Sequence, residues 1–115
     1  MATYTPVIAS GSTNGRQIKV TATATAGTLL HTSHAIDIDE TSVWATNTST
    51  SPVKLTIELG GVTSPDDLIE QTIPPEMGEF LVVDAARLTG SVVVRAFAAS
   101  ANVINCRVSV NRITS

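Results

Sequence analysis

Apolar and polar residues alternate along much of this chain. In Val53-Lys54-Leu55-Thr56-Ile57-Glu58-Leu59 every odd position is apolar and every even one is charged or hydroxylated. A period of two sends one set of side chains into a core and the other into water, which predicts a strand. The same period runs from Ile18 to Ala26, where Lys and Thr alternate with Ile, Val and Ala until Gly27 breaks it. Further strands are predicted at 28–32, at 36–40 leading into a turn, and at 43–47, 53–59, 68–73, 79–83, 91–97 and 103–110. Gly60-Gly61, Ser64-Pro65-Asp66-Asp67 and Pro74-Pro75 punctuate them. Asp84 to Leu88 has room for one helical turn.

About eight antiparallel strands at roughly 8–12-residue spacing predict an all-β, single-domain β-sandwich of jelly-roll type. The chain shows no internal repeat and no second domain. Residues 1–15 are rich in Thr, Ser, Gly and Asn, carry no strong period, and are set apart from a sandwich at 16–115. They read as a frayed terminus or as a flexible arm that orders against a neighbouring subunit, with Tyr4, Val7 and Ile8 as its anchors.

Composition narrows the function classes. Hydrophobic residues make up 43% of the chain and aromatic residues only 3%, so the core is built from Val, Ile, Leu and Ala and is thin, as between two sheets about 10 Å apart. Charged residues are sparse at 15%, and the net charge is −3. The basic residues stand singly, without the cationic stripe of a nucleic-acid binder or of a protein drawn to anionic membranes. No window reaches the roughly 18 apolar residues of a membrane span. The N-terminus lacks the features of a signal peptide, and the single cysteine, Cys106, forms no intrachain disulfide; both point to synthesis in a reducing cytoplasm.

Candidate chemistry is thin. His31 and His34 precede Asp37, Asp39 and Glu40, a grouping that can hold a divalent metal. Residues three apart on a strand face opposite sides, so the expectation is a solvated acidic loop and no metal. Asp66-Asp67 fits a turn in which Asp accepts a backbone N–H. Cys106 falls in the apolar phase of its strand and is expected in the core, with no base to activate it. Trp44 is expected as a core plug, since the few other aromatic residues offer no stacking platform. Asn47-Thr48-Ser49 matches a glycosylation acceptor, which means little without a secretory signal. No catalytic residue, cofactor site or phosphate-cradling loop emerges, so the chain reads as a non-enzyme. Arg87, Arg95, Arg107 and Arg112 are spread through the C-terminal part. Each stands as a solvated strand residue, or, where several emerge on one edge, as a pairing group for a partner's carboxylates; Arg95 and Arg107 are the candidates carried forward.

One longer run is familiar as a whole. Ile36-Asp37-Ile38-Asp39, Trp44-Ala45-Thr46-Asn47-Thr48, Val53 to Gly61, Thr63-Ser64-Pro65-Asp66-Asp67-Leu68-Ile69, Ile73-Pro74-Pro75 and Ser91 to Ala99 together resemble the small virion structural proteins of tailed bacteriophages. These include capsid decoration (cement) proteins and head- or tail-fibre modules. The resemblance implies a β-sandwich or jelly roll, a homo-oligomer (commonly a trimer), the major capsid protein as partner, and residence on the capsid surface after synthesis in the host cytoplasm. It carries over no functional residue, because such proteins act through packing surfaces. The alternative within the same resemblance is a host-binding module on a fibre or tail tip.

Overall fold

A computed structural model describes residues 2–114. Among these residues the chain forms nine strands: β1 (Thr3–Ile8), β2 (Ile18–Lys19), β3 (Thr28–Thr32), β4 (Ile38–Asn47), β5 (Val53–Leu59), β6 (Leu68–Ile73), β7 (Phe80–Leu88), β8 (Val93–Ala98) and β9 (Ile104–Thr114). They make two antiparallel sheets. The five-stranded sheet runs β1-β9-β4-β7, with β2 also paired to β9, and the four-stranded sheet runs β3-β8-β5-β6. Only β5 and β6 are consecutive strands that pair with each other; elsewhere the chain passes from sheet to sheet or, between β1 and β2, to another stretch of β9. The all-β, two-sheet expectation holds.

The core lies between the sheets. Leu30, Val43, Ala45, Leu55, Ile57, Val94, Ala96, Ile104 and Cys106 have no exposed surface. All are aliphatic or small, as the scarcity of aromatic residues required. Each fully buried Leu or Ile contributes roughly 1.5–3 kcal/mol relative to an exposed one.

Four local expectations are revised. The alternating stretch 18–26 does not continue as a strand beyond Lys19. The Val20 N–H still donates to the Ile104 carbonyl at 2.8 Å, but beyond it side-chain oxygens take the donors: the Thr21 and Ala22 N–H groups donate to Thr28 Oγ1 at 3.1 and 3.2 Å, and the N–H of the following Gly27 donates to Glu58 Oε1 at 2.6 Å. Such bonds offer the backbone an alternative to a ladder. Gly27 is also wedged against β8, where a Cβ would lie 2.5 Å from the Ala96 carbonyl oxygen.

The stretches 36–40 and 43–47 are not separated by a turn, because β4 pairs with β9 without a break from Ile38↔Ile113 to Asn47↔Ile104. Asp39, Thr41, Val43, Ala45 and Asn47 all point inward on it and are buried. Asp84 to Leu88 is strand and not a helical turn. The pairing of β7 with β4 shifts register there, Ala85 takes a positive φ of 52°, and its N–H donates to Ser42 Oγ at 2.9 Å. Finally, the segment set apart as a terminus or arm contains β1, which pairs with β9 of the same chain from Thr3↔Thr114 to Ile8↔Ser109.

Candidate functional site

Two places collect the residues that carry chemistry: a polar knot between the sheets and the outward face of the five-stranded sheet. The knot begins with an irregularity in β3. The register against β8 shifts between Leu29 and His31, so the consecutive residues Leu30 and His31 are both buried. His31 thereby reaches Asp39 of the opposite sheet, its Nε2 lying 2.7 Å from Oδ2. Ser10 N–H donates to His31 Nδ1 at 3.0 Å. That bond assigns the imidazole proton to Nε2, from which it is donated to Asp39. Arg112 grips the same carboxylate with Nε on Oδ1 at 2.8 Å and Nη2 on Oδ2 at 3.0 Å, and the His34 N–H adds a bond at 3.1 Å.

This overturns the expectation of a solvated acidic loop at His31 and Asp39: both are buried, 1% and 0% exposed. The cation at the carboxylate is the Arg112 guanidinium. Burial pushes the Asp39 pKa up, but the bonds from Arg112, His31 and the His34 N–H, with the Arg112 charge, outweigh it and hold the pKa down at about 2. The same pair raises the pKa of Arg112.

Ser10, His31 and Asp39 stand in the order hydroxyl, imidazole, carboxylate, as in a hydrolase. The geometry does not fit a relay. Ser10 Oγ lies 3.4 Å from His31 Nδ1, at the long end for a hydrogen bond. The Nδ1 lone pair that would take a proton is held by the Ser10 backbone N–H, and Ser10 Oγ itself accepts the Thr32 N–H at 2.7 Å. What the group does is tie the β1–β2 connection, β3, β4 and β9 together. Cys106 is packed in the core as expected, and burial pushes its thiol up to about 12. Asn47 of the glycosylation match is also buried, its amide nitrogen donating to the carbonyls of Ser51 and Ile73 at 2.8 and 2.9 Å.

The outward face of the five-stranded sheet is built by strand alternation. Register places Tyr4, Ile113 and Ile38 in one cross-strand row, Ile8, Ser109 and Ser42 in another, and Arg107, Trp44 and Leu81 in a third. Tyr4 is 61% exposed, Ile8 60%, Ile38 38% and Leu81 37%. Trp44 is thus outward and half-buried, not the core plug expected of it. The Arg107 guanidinium sits 5.3 Å from its ring centroid and is bonded to Glu79. On the same face Arg87 approaches Glu40 at 3.4 Å. The face is mixed: the Tyr4–Ile113–Ile38 row is separated from the Ile8–Ser109–Ser42 row by Pro6, Asn111, Glu40 and Arg87, and Lys19 of β2 stands exposed beside Asn105 with no ion-pair partner among the described residues.

Of the residues expected to meet a partner, Tyr4, Ile8 and Arg107 share this face. Val7 points the other way and pairs with buried Val110. Arg95 lies in the other sheet, on a wall of an open concavity of about 430 Å³ between the turns at 60–62 and 90–92. Its Nη1 is 3.5 Å from the Gly27 carbonyl oxygen. Sequence reasoning missed Ile38, Trp44, Leu81 and Ile113 as outward residues. For the first two the signal was present, since Ile38 and Trp44 lie in the opposite phase to Val43 and Ala45. Compared with known protein families, with curated proteins and with solved structures, the chain matches none.

Proposed function

We propose that this protein is a non-enzymatic structural protein of a phage virion, a capsid decoration protein that stabilises the head by binding major capsid subunits. The observation that carries the reading is how the side chains are partitioned. The imidazole–carboxylate group is consumed in holding the two sheets together, whereas large apolar side chains stand on the outside. A protein so arranged works by contact, and the resemblance of residues 35–113 to phage virion proteins directs that contact to a capsid. Binding only the assembled shell stabilises it by mass action.

The test is co-sedimentation of the purified protein with shells assembled from the major capsid protein of its source phage, followed by calorimetry of the decorated shells. Saturable binding and a higher disruption temperature are expected. Protein that stays in the supernatant and leaves the shells unchanged refutes the reading, and binding to host cells instead makes it a host-binding module.

A further inference from the structure

We infer that strand β6, the open edge of the four-stranded sheet, is a docking site for an extended segment of another protein, which adds to the sheet as a fifth strand. The free groups follow from the ladder. The Ala99 N–H donates to the Lys54 carbonyl at 2.9 Å and the Leu59 N–H to the Asp67 carbonyl at 2.8 Å. Within β5 the even-numbered residues therefore turn their backbone groups to β8 and the odd-numbered ones to β6. The register pairs Leu55 with Gln71 and Ile57 with Ile69, so Leu68, Glu70 and Thr72 turn theirs away from β5. There the Leu68 N–H is taken by the Pro65 carbonyl at 3.3 Å and the Thr72 carbonyl by the Gln71 side chain at 3.1 Å. The Leu68 carbonyl, both backbone groups of Glu70 and the Thr72 N–H have no partner among the described residues.

Among the described residues β6 is also the edge left unprotected. The others are blunted in ways that keep edges from pairing. β1 carries Pro6, β2 is two residues long, and β7 shifts register against β4 and holds Ala85 at a positive φ. β3 is bulged against β8 and covered by residues 10–11, where the Gly11 N–H donates to the Leu30 carbonyl and Ser10 Oγ accepts the Thr32 N–H. β6 has six residues, no proline and an unbroken register. Beside it Ser64, Pro65, Leu68 and Glu70 line an open hollow of about 130 Å³. Main-chain bonds along an edge supply affinity, and a pocket for an alternate side chain supplies specificity; with Pro65 and Leu68 as walls, the hollow takes an aliphatic one. The occupant is a foreign strand and not a second copy. Two copies of β6 paired about a two-fold axis use all the free groups only when centred on Glu70. That register sets Glu70 against its own image, and like charges directly opposite are destabilising. The exposed bond from Lys54 to Glu70 offsets this only weakly.

The inference goes beyond the capsid role and is tested on the free protein. Peptide binding without shell binding removes the capsid role alone; shell binding without peptide binding removes this inference alone. The probe is a panel of end-blocked heptapeptides in which Thr alternates with Val, Ile or Leu between flanking lysines, titrated into isotope-labelled protein and followed by amide NMR. Saturable shifts are expected along residues 68–72, with slower hydrogen exchange of the Glu70 and Thr72 N–H groups. The same peptide N-methylated at every inner residue has no donor for the Glu70 carbonyl. It should bind about 10-fold more weakly or worse, the worth of one net hydrogen bond. Glu70→Pro removes the outward N–H and leaves the ladder with β5 intact, as proline on an edge strand can. It should weaken binding by a similar factor while its circular dichroism stays that of the wild type. Three results overturn the inference: no saturable shift at β6 with millimolar peptide, binding centred on another edge, or N-methylation without effect. Concentration-dependent shifts at β6 in protein without peptide also overturn it, by giving the edge to a second copy. These readouts stand on wild-type protein even if the variant fails to fold.

Discussion

Arg112 and Asp39 face each other across β9 and β4 and are joined by two parallel hydrogen bonds of 2.8 and 3.0 Å, with Asp39 fully buried. His31 from the opposite sheet completes the carboxylate's coordination. Asp39 thus holds the two sheets in register as well as neutralising a charge. Asp39→Ala leaves the guanidinium, the imidazole N–H and the His34 N–H without their acceptor. The expected loss is about 3 kcal/mol, as for breaking a buried pair from one side. Urea denaturation measures it, and a loss under about 1 kcal/mol would show that the knot is not structural.

The same carboxylate sets an acid limit. The folded pKa of about 2 lies below the ordinary 3.8, so the ionised form is favoured by folding. Its contribution is complete above pH 3.8 and is lost as pH falls towards 2, amounting to about 2 kcal/mol. Stabilities of wild type and Asp39→Asn, followed from about pH 5 to about pH 2, are expected to converge by that amount. Parallel curves would place the titration elsewhere.

Glu58 points to the outer side of its sheet yet is 1% exposed, because Thr25 Oγ1 and the Gly27 N–H both donate to it at 2.6 Å. Glu58→Ala unfastens residues 25–27 and costs about 2 kcal/mol, the range for bonds to a charged acceptor. Limited proteolysis should then cut within this segment faster than in the wild type. Equal cleavage of both proteins would show that the segment is held by other contacts.

Cys106 has no exposed surface and a thiol pushed up to about 12. With almost no thiolate present, the folded protein is expected to resist alkylation at about pH 8, since the thiolate is the nucleophile. Labelling should proceed only through unfolding, so its rate rises with urea along the unfolding curve. Rapid labelling of native protein would contradict the burial.

Arg107 covers Trp44 from the solvent side. Arg107→Ala should uncover the indole, giving a red-shifted and more readily quenched emission in dilute protein, and should cost no more than about 1 kcal/mol because the ion pair is exposed. Unchanged emission would mean that the stacking does not persist in solution.

The sequence by itself determined the class of the fold. The period of two marks β5 at its observed bounds, the turn at 64–67 and Pro74-Pro75 bound β6, and Val, Ile and Ala in one phase of β4 and β9 specify an aliphatic core, since alternation is a local consequence of backbone geometry. It also placed Cys106 inside. Only the tertiary structure decided matters that depend on partners remote in sequence. Residues 18–26 have the alternation of a strand but lose it to Thr28 and Glu58, which supply competing acceptors. His31 enters the core because β3 slips against β8, a shift no local pattern encodes. Trp44 is out of phase with its buried neighbours, yet the scarcity of other aromatic residues to form a stacking platform points it to the core. The sheet turned that phase outward beside Leu81 and Arg107, and pairing register rather than hydrophobicity settled which side it took.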